Sequence, residues 1–252
     1  MRFIFSLLGL LLVSLPALSD PVTVRVGGYL FPPYMQSQAD GEWSGLTPDV
    51  LQALNALQDD IHFELFPTSA NRRYLDFANG QFDMMLFESP HWGWQDYPVY
   101  SVKGPVVGRE VFIAKTDGQL DQRYFHDLEG KRIALFSGYH YAFAGFNPDK
   151  NQLRERFSAI ITFSHESNIQ MVLRGRADLS IVSDAYLDNY LRTYPQYRSQ
   201  LLVSDFADQS YDDFFLVRNG VRPYRDELEA YVRQLQESGR LGELMDRYRL
   251  EP

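Results

Sequence analysis

The sequence contains no cysteine among its 252 residues. This absence excludes disulfide bonds, a thiol nucleophile, a cysteine-ligated metal and a lipid-modified cysteine at the end of an export signal. The chain must therefore be held together by core burial alone. Its length and its 45% content of hydrophobic residues are sufficient for that.

Several other signals are also missing. After the first twenty residues no segment approaches the ~20 apolar residues of a membrane-spanning helix, so we expect no stable membrane insertion. The five histidines show no close metal-ligand spacing, and no Gly-rich phosphate loop or serine-elbow motif is present. We predict no metal and no cofactor. The formal net charge of −9, with dispersed positive residues, argues against nucleic acid as a partner.

The first twenty residues form a separate unit. Arg2 precedes an apolar run over residues 3–15, and Ala17, Leu18 and Ser19 come before Asp20. This is the pattern of a secretory signal peptide, predicted over residues 1–19 with cleavage near Ser19. The alternative is a membrane anchor, for which the apolar run is short. We expect a soluble, periplasmic protein if the host is Gram-negative.

The rest of the chain alternates predicted strands and helices. Apolar and β-branched runs predict strands, and leucine spacing after Thr47 and Pro48 predicts the first helix. The first half gives strand, helix, strand, helix, strand over residues 22–27, 45–58, 61–66, 69–80 and 82–88. The second half repeats this plan, with strands over residues 109–115, 131–138, 159–163 and 177–183 and a helix over 166–175. This order is typical of parallel βα units.

A short repeat links the two halves. FANGQFDMMLF and VLRGRADLSIV both run from a helix end through Gly-x-x-Asp into an apolar strand. Gly80 and Gly175 are predicted to end their helices with positive φ. Asp83 and Asp178 are interpreted as turn residues rather than ligand-binding residues.

Two lobes follow from this repeat. The C-terminal helices are expected to return to the first lobe, so the chain crosses between lobes twice, near residues 108–115 and 204–215. We predict one lobe over residues 20–112 and 206–252, and another over residues 113–205. A two-strand connection of this kind suits hinge closure around a ligand.

At this point the motifs resemble a known family. VRVGGYLFPPYM, RRYLDFANGQFDMML, MVLRGRADLSIVSD, LEGKRIALFSGYHY and ESGRLGELMDRYRL, in this order, are similar to periplasmic solute-binding proteins of the amino-acid-binding type, extracellular solute-binding family 3. The resemblance implies an α/β, two-lobe type II periplasmic-binding-protein (Venus flytrap) fold with a two-strand hinge. It also implies a monomer that binds a small molecule in the cleft, with an ABC transporter permease or a sensor receptor as its partner.

The resemblance also implies ligand-binding residues. Tyr29, Phe31 and Tyr34 correspond to the loop whose aromatic residue stacks on the ligand, although each could instead pack beneath the loop. Asp184 corresponds to the aspartate that receives the ligand's amino group. The alternative for Asp184 is a helix N-cap, which is compatible with binding.

One expected motif is missing. Relatives usually carry Thr-Pro-Glu-Arg about twelve residues after the Gly-x-x-Asp aspartate, and that arginine grips the ligand's carboxylate. Here HWGWQ stands in its place, with uncharged Gln95 near the arginine position. Arg72, eight residues before Gly80, could compensate, or it could be a solvated helix residue like adjacent Arg73. An ordinary α-amino acid ligand is therefore in doubt.

Aromatic residues replace smaller ones in the predicted cleft. The second-lobe loop contains Ser137, Tyr139 and His140, and Trp92 and Trp94 follow a buried strand of the first lobe. These residues could fill the core beneath a loop. They could also stack on a sugar or aromatic ring, or surround a cationic group.

Glu88 raises the question of enzymatic activity. It stands at a strand's end near His91 and could form an acid–base pair, as in a dehydratase-like enzyme on the same fold. A lone glutamate is weak support, so we predict no enzymatic activity. The predicted function is capture of a small polar or aromatic molecule, amino-acid-like or an amine, for an ABC importer or a receptor.

Overall fold

The computed structural model describes residues 20–250 except residues 39 and 117. The predicted signal peptide, residues 1–19, lies outside the described residues. Within the described ranges, every helix is too short or too polar to cross a membrane.

The described residues form ten strands and seven α-helices. In chain order these are β1 (Val22–Gly28), β2 (Gln36–Ser37), β3 (Trp43–Ser44), α1 (Leu46–Leu57), β4 (Ile61–Pro67), α2 (Arg73–Ala78), β5 (Met84–Glu88), β6 (Val99–Lys115), β7 (Ile133–Phe136), α3 (Lys150–Phe157), β8 (Ala159–Thr162), α4 (His165–Leu173), β9 (Leu179–Ser183), α5 (Asp184–Thr193), β10 (Leu201–Arg218), α6 (Arg225–Glu237) and α7 (Arg240–Tyr248). Short 3-10 helices cover Gln122–Phe125, Ala142–Ala144 and Pro195–Gln200.

Eight of the strands form one sheet that runs through both lobes. Its order is β4-β1-β5-β10-β6-β9-β7-β8. β1 pairs in parallel with β4 and β5, and β7 pairs in parallel with β8 and β9. The antiparallel pair formed by β6 and β10 stands between these two parallel sets. The predicted α/β architecture with two lobes and a two-strand hinge is confirmed.

The C-terminal helices return to the first lobe, as their position after the second crossing predicts. α6 and α7 both pack against α1, whose buried face includes Val50 and Leu54. Arg247 lies 2.7 Å from Asp49 of α1, and the Tyr248 hydroxyl lies 3.0 Å from the same carboxylate. The tail therefore completes the helical layer that the N-terminal half lacks.

The hinge strands β6 and β10 are longer than the predicted crossing segments, which lie inside them. Their pairing has register shifts, including one between Asp212 and Phe214. Two glycines of β6 have no Cβ, which leaves room for side chains of β10 to lie directly over them. A Cβ at Gly104 would stand 2.0 Å from Asp213, and one at Gly108 would stand 2.3 Å from the Tyr211 ring.

Both aspartates of the short repeat form ion pairs next to the turns in which they were predicted. The Asp83 carboxylate lies 2.9 Å from Arg218. The Asp178 carboxylate accepts the backbone N–H of Arg132 at 2.7 Å and lies 2.8 Å from that residue's guanidinium. Each aspartate therefore ties its turn to a neighbouring segment of the chain.

Candidate functional site

The two lobes meet over a small cavity beside the hinge. Residues of the first lobe, the second lobe and both hinge strands line it: Tyr29, Phe31, Arg73, Trp92, Glu110, Tyr139, His140 and Gln209. The cavity volume available to solvent is about 10 Å³, which is enough for one water molecule. A larger ligand can enter only if the lobes separate or side chains move.

Few hydrogen bonds hold the lobes together across the cleft. The Tyr139 hydroxyl donates to the backbone oxygen of Leu30 at 3.2 Å, and Asn71 Nδ2 donates to Ser137 Oγ at 3.0 Å. Each such bond contributes about 0.5–1.5 kcal/mol. Separation of the lobes must break these bonds, a longer bond of 3.4 Å from Arg73 to the backbone oxygen of Gly138, and the ring contacts of Tyr139 with Tyr29 and Phe31.

Gln209 of β10 connects the hinge to both lobes. Its Oε1 accepts from the indole Nε1 of Trp92 at 3.1 Å, and its Nε2 donates to the backbone oxygen of His140 at 2.6 Å. Both ends of this amide are therefore used in holding the cleft closed.

Aromatic rings form the walls of the cavity. Tyr29 stacks on Phe31 with ring centroids 5.9 Å apart, and Phe31 stacks on Tyr34 at 4.7 Å. Trp92 and Tyr139 meet the edge of Phe31 at 6.0 and 5.7 Å. Tyr139 belongs to the second lobe, so the aromatic cluster spans the cleft.

Arg73 and Glu88 form an ion pair in which both side chains are almost fully buried. Their Nε and Oε1 atoms are 3.5 Å apart, and the other carboxylate oxygen accepts from Trp94 Nε1 at 2.7 Å. The guanidinium lies over the rings of Tyr29 and Tyr74, at 4.8 and 4.4 Å. Burial raises the pKa of Glu88, and Arg73 and Trp94 oppose that rise. Burial disfavours the charge of Arg73, but Glu88 holds the pKa of Arg73 above its ordinary value.

A bulge aims Glu88 inward. Phe87 has φ 58, an uncommon backbone conformation for a bulky residue. The pairing of β5 with β10 contains a β-bulge at this point. Met85 pairs with Leu216 and Glu88 pairs with Phe214, so β5 has one more residue than β10 between the two pairs. The uncommon backbone conformation of Phe87 therefore places the Glu88 carboxylate beside Arg73.

Glu110 is a second buried carboxylate, on hinge strand β6, and its side chain is 2% exposed. The Tyr211 hydroxyl approaches Oε1 at 3.4 Å, and Oε2 has no hydrogen-bond partner. Burial raises the pKa of Glu110, as do the carboxylates of Asp184 and Asp208, while the Tyr211 hydroxyl opposes the rise. Gly108 gives the Tyr211 ring the space to stand next to Glu110.

His140 adds no positive charge at neutral pH. Burial, together with the positive charge of Arg73, lowers the pKa of His140 to about 3. The imidazole is therefore neutral, and its Nδ1 has no hydrogen-bond partner. Arg73 is the one cation among the residues that line the cavity.

The twelve predicted site residues divide into three groups, of which the last, Arg72, Gln95 and Asp184, lies outside the cavity lining. Five of them line the cavity: Tyr29, Phe31, Trp92, Tyr139 and His140. Four others lie behind that lining or beside it: Tyr34 stacks on Phe31, Trp94 and Glu88 are hydrogen-bonded to each other, and Ser137 accepts the bond from Asn71.

The structure places Arg73, not Arg72, against the cavity. The Arg72 side chain is 71% exposed and lies 3.2 Å from Asp76. Because α2 begins at Arg73, and neighbouring residues of a helix point about 100° apart, only one of the two arginines can face the cleft.

Gln95 and Asp184 also lie outside the cavity lining. Gln95 is exposed in the loop after β5. Asp184 is the first residue of α5, with no side-chain capping bond at that helix start, and its carboxylate is 3.9 Å from Nε of Arg109. Its side chain is 39% exposed and lines an open pocket between the lobes, together with Tyr34, Arg109 and Arg249.

Three cavity residues were not predicted: Arg73, Glu110 and Gln209. The sequence offers a signal for Arg73, since it stands next to Arg72. Glu110 alternates with exposed Arg109 in a predicted strand, but nothing in the sequence shows what that strand faces. Gln209 falls in a predicted crossing segment with irregular pairing.

Comparison with known proteins identifies the family. A family model described as ABC transporter, phosphonate, periplasmic substrate-binding protein matches residues 103–251, more than half of the chain. The chain belongs to this family. A sequence search among curated proteins returns no significant match.

Solved structures show the same fold. A binding component of an ABC transporter from Wolinella succinogenes, complexed with lysine, is 18% identical with a TM-score of 0.68, covering 89% of this chain and 94% of that one. A histidine kinase sensor domain with similarity to periplasmic binding proteins is 15% identical, with a TM-score of 0.69 and coverage of 92% and 99%. An ancestral amino acid-binding protein, a precursor of cyclohexadienyl dehydratase, is 18% identical, with a TM-score of 0.66 and coverage of 90% and 95%.

These findings confirm the predicted type II periplasmic-binding-protein fold and the predicted relation to periplasmic solute-binding proteins. The family model names phosphonate, whereas two of these structures are described as a lysine complex and an amino acid-binding protein. The ligand class must therefore be argued from the cleft itself.

Proposed function

We propose that this protein captures a small amino-acid-like or amine molecule between its lobes and presents it to an ABC importer or a receptor. One observation carries the proposal: a cavity that both lobes and the hinge line together, in which aromatic rings surround a buried carboxylate. A site built from parts that move relative to each other suits capture by hinge closure.

The charges of the cleft favour an amine over a phosphonate. Arg73 is already matched by Glu88 and lies between two tyrosine rings, so it offers little to an anion. The Glu110 carboxyl group, whose pKa burial raises, offers no positive charge to an anion, and once ionised it would repel one. Ligand binding to Tyr34, Asp184 or Arg72 stays a prediction, since none of the three lines the cavity.

A dehydratase-like activity has little support from the geometry. Glu88 is fully buried, bonded to Trp94 and beside Arg73, and it does not line the cavity. His91, its predicted acid–base partner, is exposed. An acid–base pair must reach its substrate, and this arrangement gives Glu88 a structural role instead.

Location and partner complete the proposal. A signal peptide over residues 1–19 would deliver the protein to the periplasm, and mass spectrometry of the exported protein should then find a chain that begins near Asp20. Retention of residues 1–19 would contradict cleavage. The likeness to a histidine kinase sensor domain supports a receptor as a partner beside the permease of the family.

Thermal-shift screening tests the proposed function. A ligand at 100 times its Kd stabilises the folded state by about 2.7 kcal/mol, which raises the melting temperature of a chain this long by about 5–10 °C. We expect such a shift from amines or amino-acid-like compounds, with a change in tryptophan fluorescence because Trp92 lines the cavity. No shift with amino acids, amines, sugars or phosphonates would contradict the proposal.

A further inference from the structure

The cavity holds one acidic group that the protein leaves without a strong partner. Glu110 is 2% exposed, lines the cavity and leaves Oε2 without a partner. Buried carboxylate oxygens in native proteins are nearly always hydrogen-bonded, and an exception at a cleft points to a missing partner. The Tyr211 hydroxyl, 3.4 Å from the other oxygen, makes only a weak bond.

Among the other polar groups of the lining, Arg73 Nε and His140 Nδ1 have no hydrogen-bond partner, but neither residue carries an unmatched charge. Arg73 and Glu88 balance each other, and Gln209 bonds to Trp92 and to the backbone of His140. When Glu110 is ionised, the cavity and the ion pair beside it carry one net negative charge.

We propose that Glu110 is the counter-ion of the ligand, and that the site selects a small organic amine with one positive charge and no carboxylate or phosphonate group. This inference rests on the proposed function, since it names the ligand class of the same cleft. A monocation restores charge balance. A zwitterion or a phosphonate would need a second cation, and Arg73 is held by Glu88.

The walls of the cavity suit the same ligand class. The rings of Tyr29, Phe31, Trp92 and Tyr139 surround the cavity, and aromatic faces attract ammonium groups. Because Glu110 lies on a hinge strand, at the junction of the lobes, a cation can reach it when the lobes are apart. Tyr139, carried by the second lobe, then closes over the bound molecule.

The position of Glu110 also separates this proposal from a site at Asp184. Asp184 lies near Arg109 in a separate, open pocket between the lobes and does not line the cavity. An amine at Glu110 would be enclosed by aromatic rings, whereas an amine at Asp184 would remain in contact with solvent.

Titration calorimetry with matched probes tests the inference. Phenethylamine, phenethyl alcohol and phenylalanine share a phenethyl group, but the first is a cation, the second is neutral and the third is a zwitterion. Ethylamine, ethanol and alanine repeat this comparison with a smaller carbon skeleton. Aminoethylphosphonate adds the anionic group. We expect the better-fitting amine to bind the wild-type protein at least about tenfold more tightly than its alcohol or its amino acid, and than the phosphonate.

Two variants assign the effect to one residue. Glu110→Gln keeps the shape and removes the charge, and it should weaken amine binding by at least about 30-fold. Asp213→Asn is the matched control, because Asp213 is a buried carboxylate of the same hinge that does not line the cavity. Its affinity should stay within about threefold of wild type. A cooperative thermal transition shows that each variant is folded.

Several results would overturn the inference. Tighter wild-type binding of an amino acid or of the phosphonate would show that the selected charge is wrong, while the proposed capture function would stand. Equal amine affinity in wild type and Glu110→Gln would remove Glu110 from the site. If no probe binds the wild-type protein, and the broader thermal-shift panel is also silent, the proposed function itself fails.

Discussion

Two buried glutamates differ in their surroundings: Glu110 lines the cavity, whereas Glu88 lies behind its lining. Glu88 accepts an indole N–H on one oxygen, and its other oxygen lies 3.5 Å from the Arg73 guanidinium, an ion pair without a hydrogen bond. Glu110 has one long contact from Tyr211 and an oxygen with no partner. Burial disfavours the charged form of both carboxylates, but only Glu88 is compensated from within the protein.

We interpret Glu88 as a structural residue and Glu110 as a ligand-binding residue because of this difference. A compensated buried pair such as Arg73 and Glu88 fixes the geometry of the first lobe and one wall of the cleft. An uncompensated carboxylate lowers stability, and one that lines a cleft is a candidate for ligand binding, whereas Asp213 lacks a partner for one oxygen without lining the cavity.

The largest expected effect is a loss of stability when the ion pair of Arg73 and Glu88 is broken. Arg73→Ala leaves Glu88 buried without its partner and should lower the free energy of unfolding by about 3–5 kcal/mol, measured by urea denaturation. Arg72→Ala is the matched control. Its side chain is 71% exposed, and its removal should change stability by less than about 0.5 kcal/mol. Equal effects of the two substitutions would contradict the assignment of Arg73 to the buried pair.

A pH titration of stability examines another uncompensated carboxylate of the hinge. Burial raises the pKa of Asp213 to about 8, with Asp212 adding to the rise and the Val106 N–H and Lys103 opposing it. The folded state therefore holds this proton between about pH 4 and pH 8, while the unfolded state loses it.

The contribution of Asp213 to stability is complete below about pH 4 and is lost as the pH rises through 8. The loss is about 1.4 kcal/mol per pH unit inside that window. Asp213→Asn should remove this slope, as measured by the unfolding free energy from pH 5 to pH 7. An unchanged slope would show that Asp213 is not protonated in the folded protein.

The smallest effect is expected at Glu110 itself. Glu110→Gln replaces an uncompensated carboxyl group by a neutral amide and should raise the free energy of unfolding of the ligand-free protein by about 1 kcal/mol. The same substitution should weaken amine binding. A loss of stability in Glu110→Gln would mean that Glu110 has a structural partner, and the contrast with Glu88 would not hold.

Most of the fold could be predicted from the sequence because the local signals agree with the tertiary structure. The alternation of residues 22–27 and the leucine spacing of α1 mark elements whose buried faces follow these patterns. The length of β6 could not be predicted, since Gly104 and Pro105 interrupt it. Their place in a strand depends on the neighbouring β10, whose Asp213 side chain occupies the space above Gly104.

The candidate site was less predictable. Tyr29, Trp92 and Tyr139 follow recognisable strands, so their approach to the cleft could be read from the chain. The choice between Arg72 and Arg73 depended on the starting residue of a six-residue helix. Glu110 required the pairing of the hinge strands, which register shifts make irregular. Such long-range pairing leaves no pattern in one sequence.

The most direct test is a crystal structure of the protein with the tightest-binding amine of the probe series. We predict the ammonium nitrogen within about 3.2 Å of a carboxylate oxygen of Glu110, enclosed by the rings of Tyr29 and Tyr139. Arg73 should remain beside Glu88. An ammonium nitrogen at Asp184, or a ligand bound outside the cleft with Glu110 still unpaired, would contradict the account.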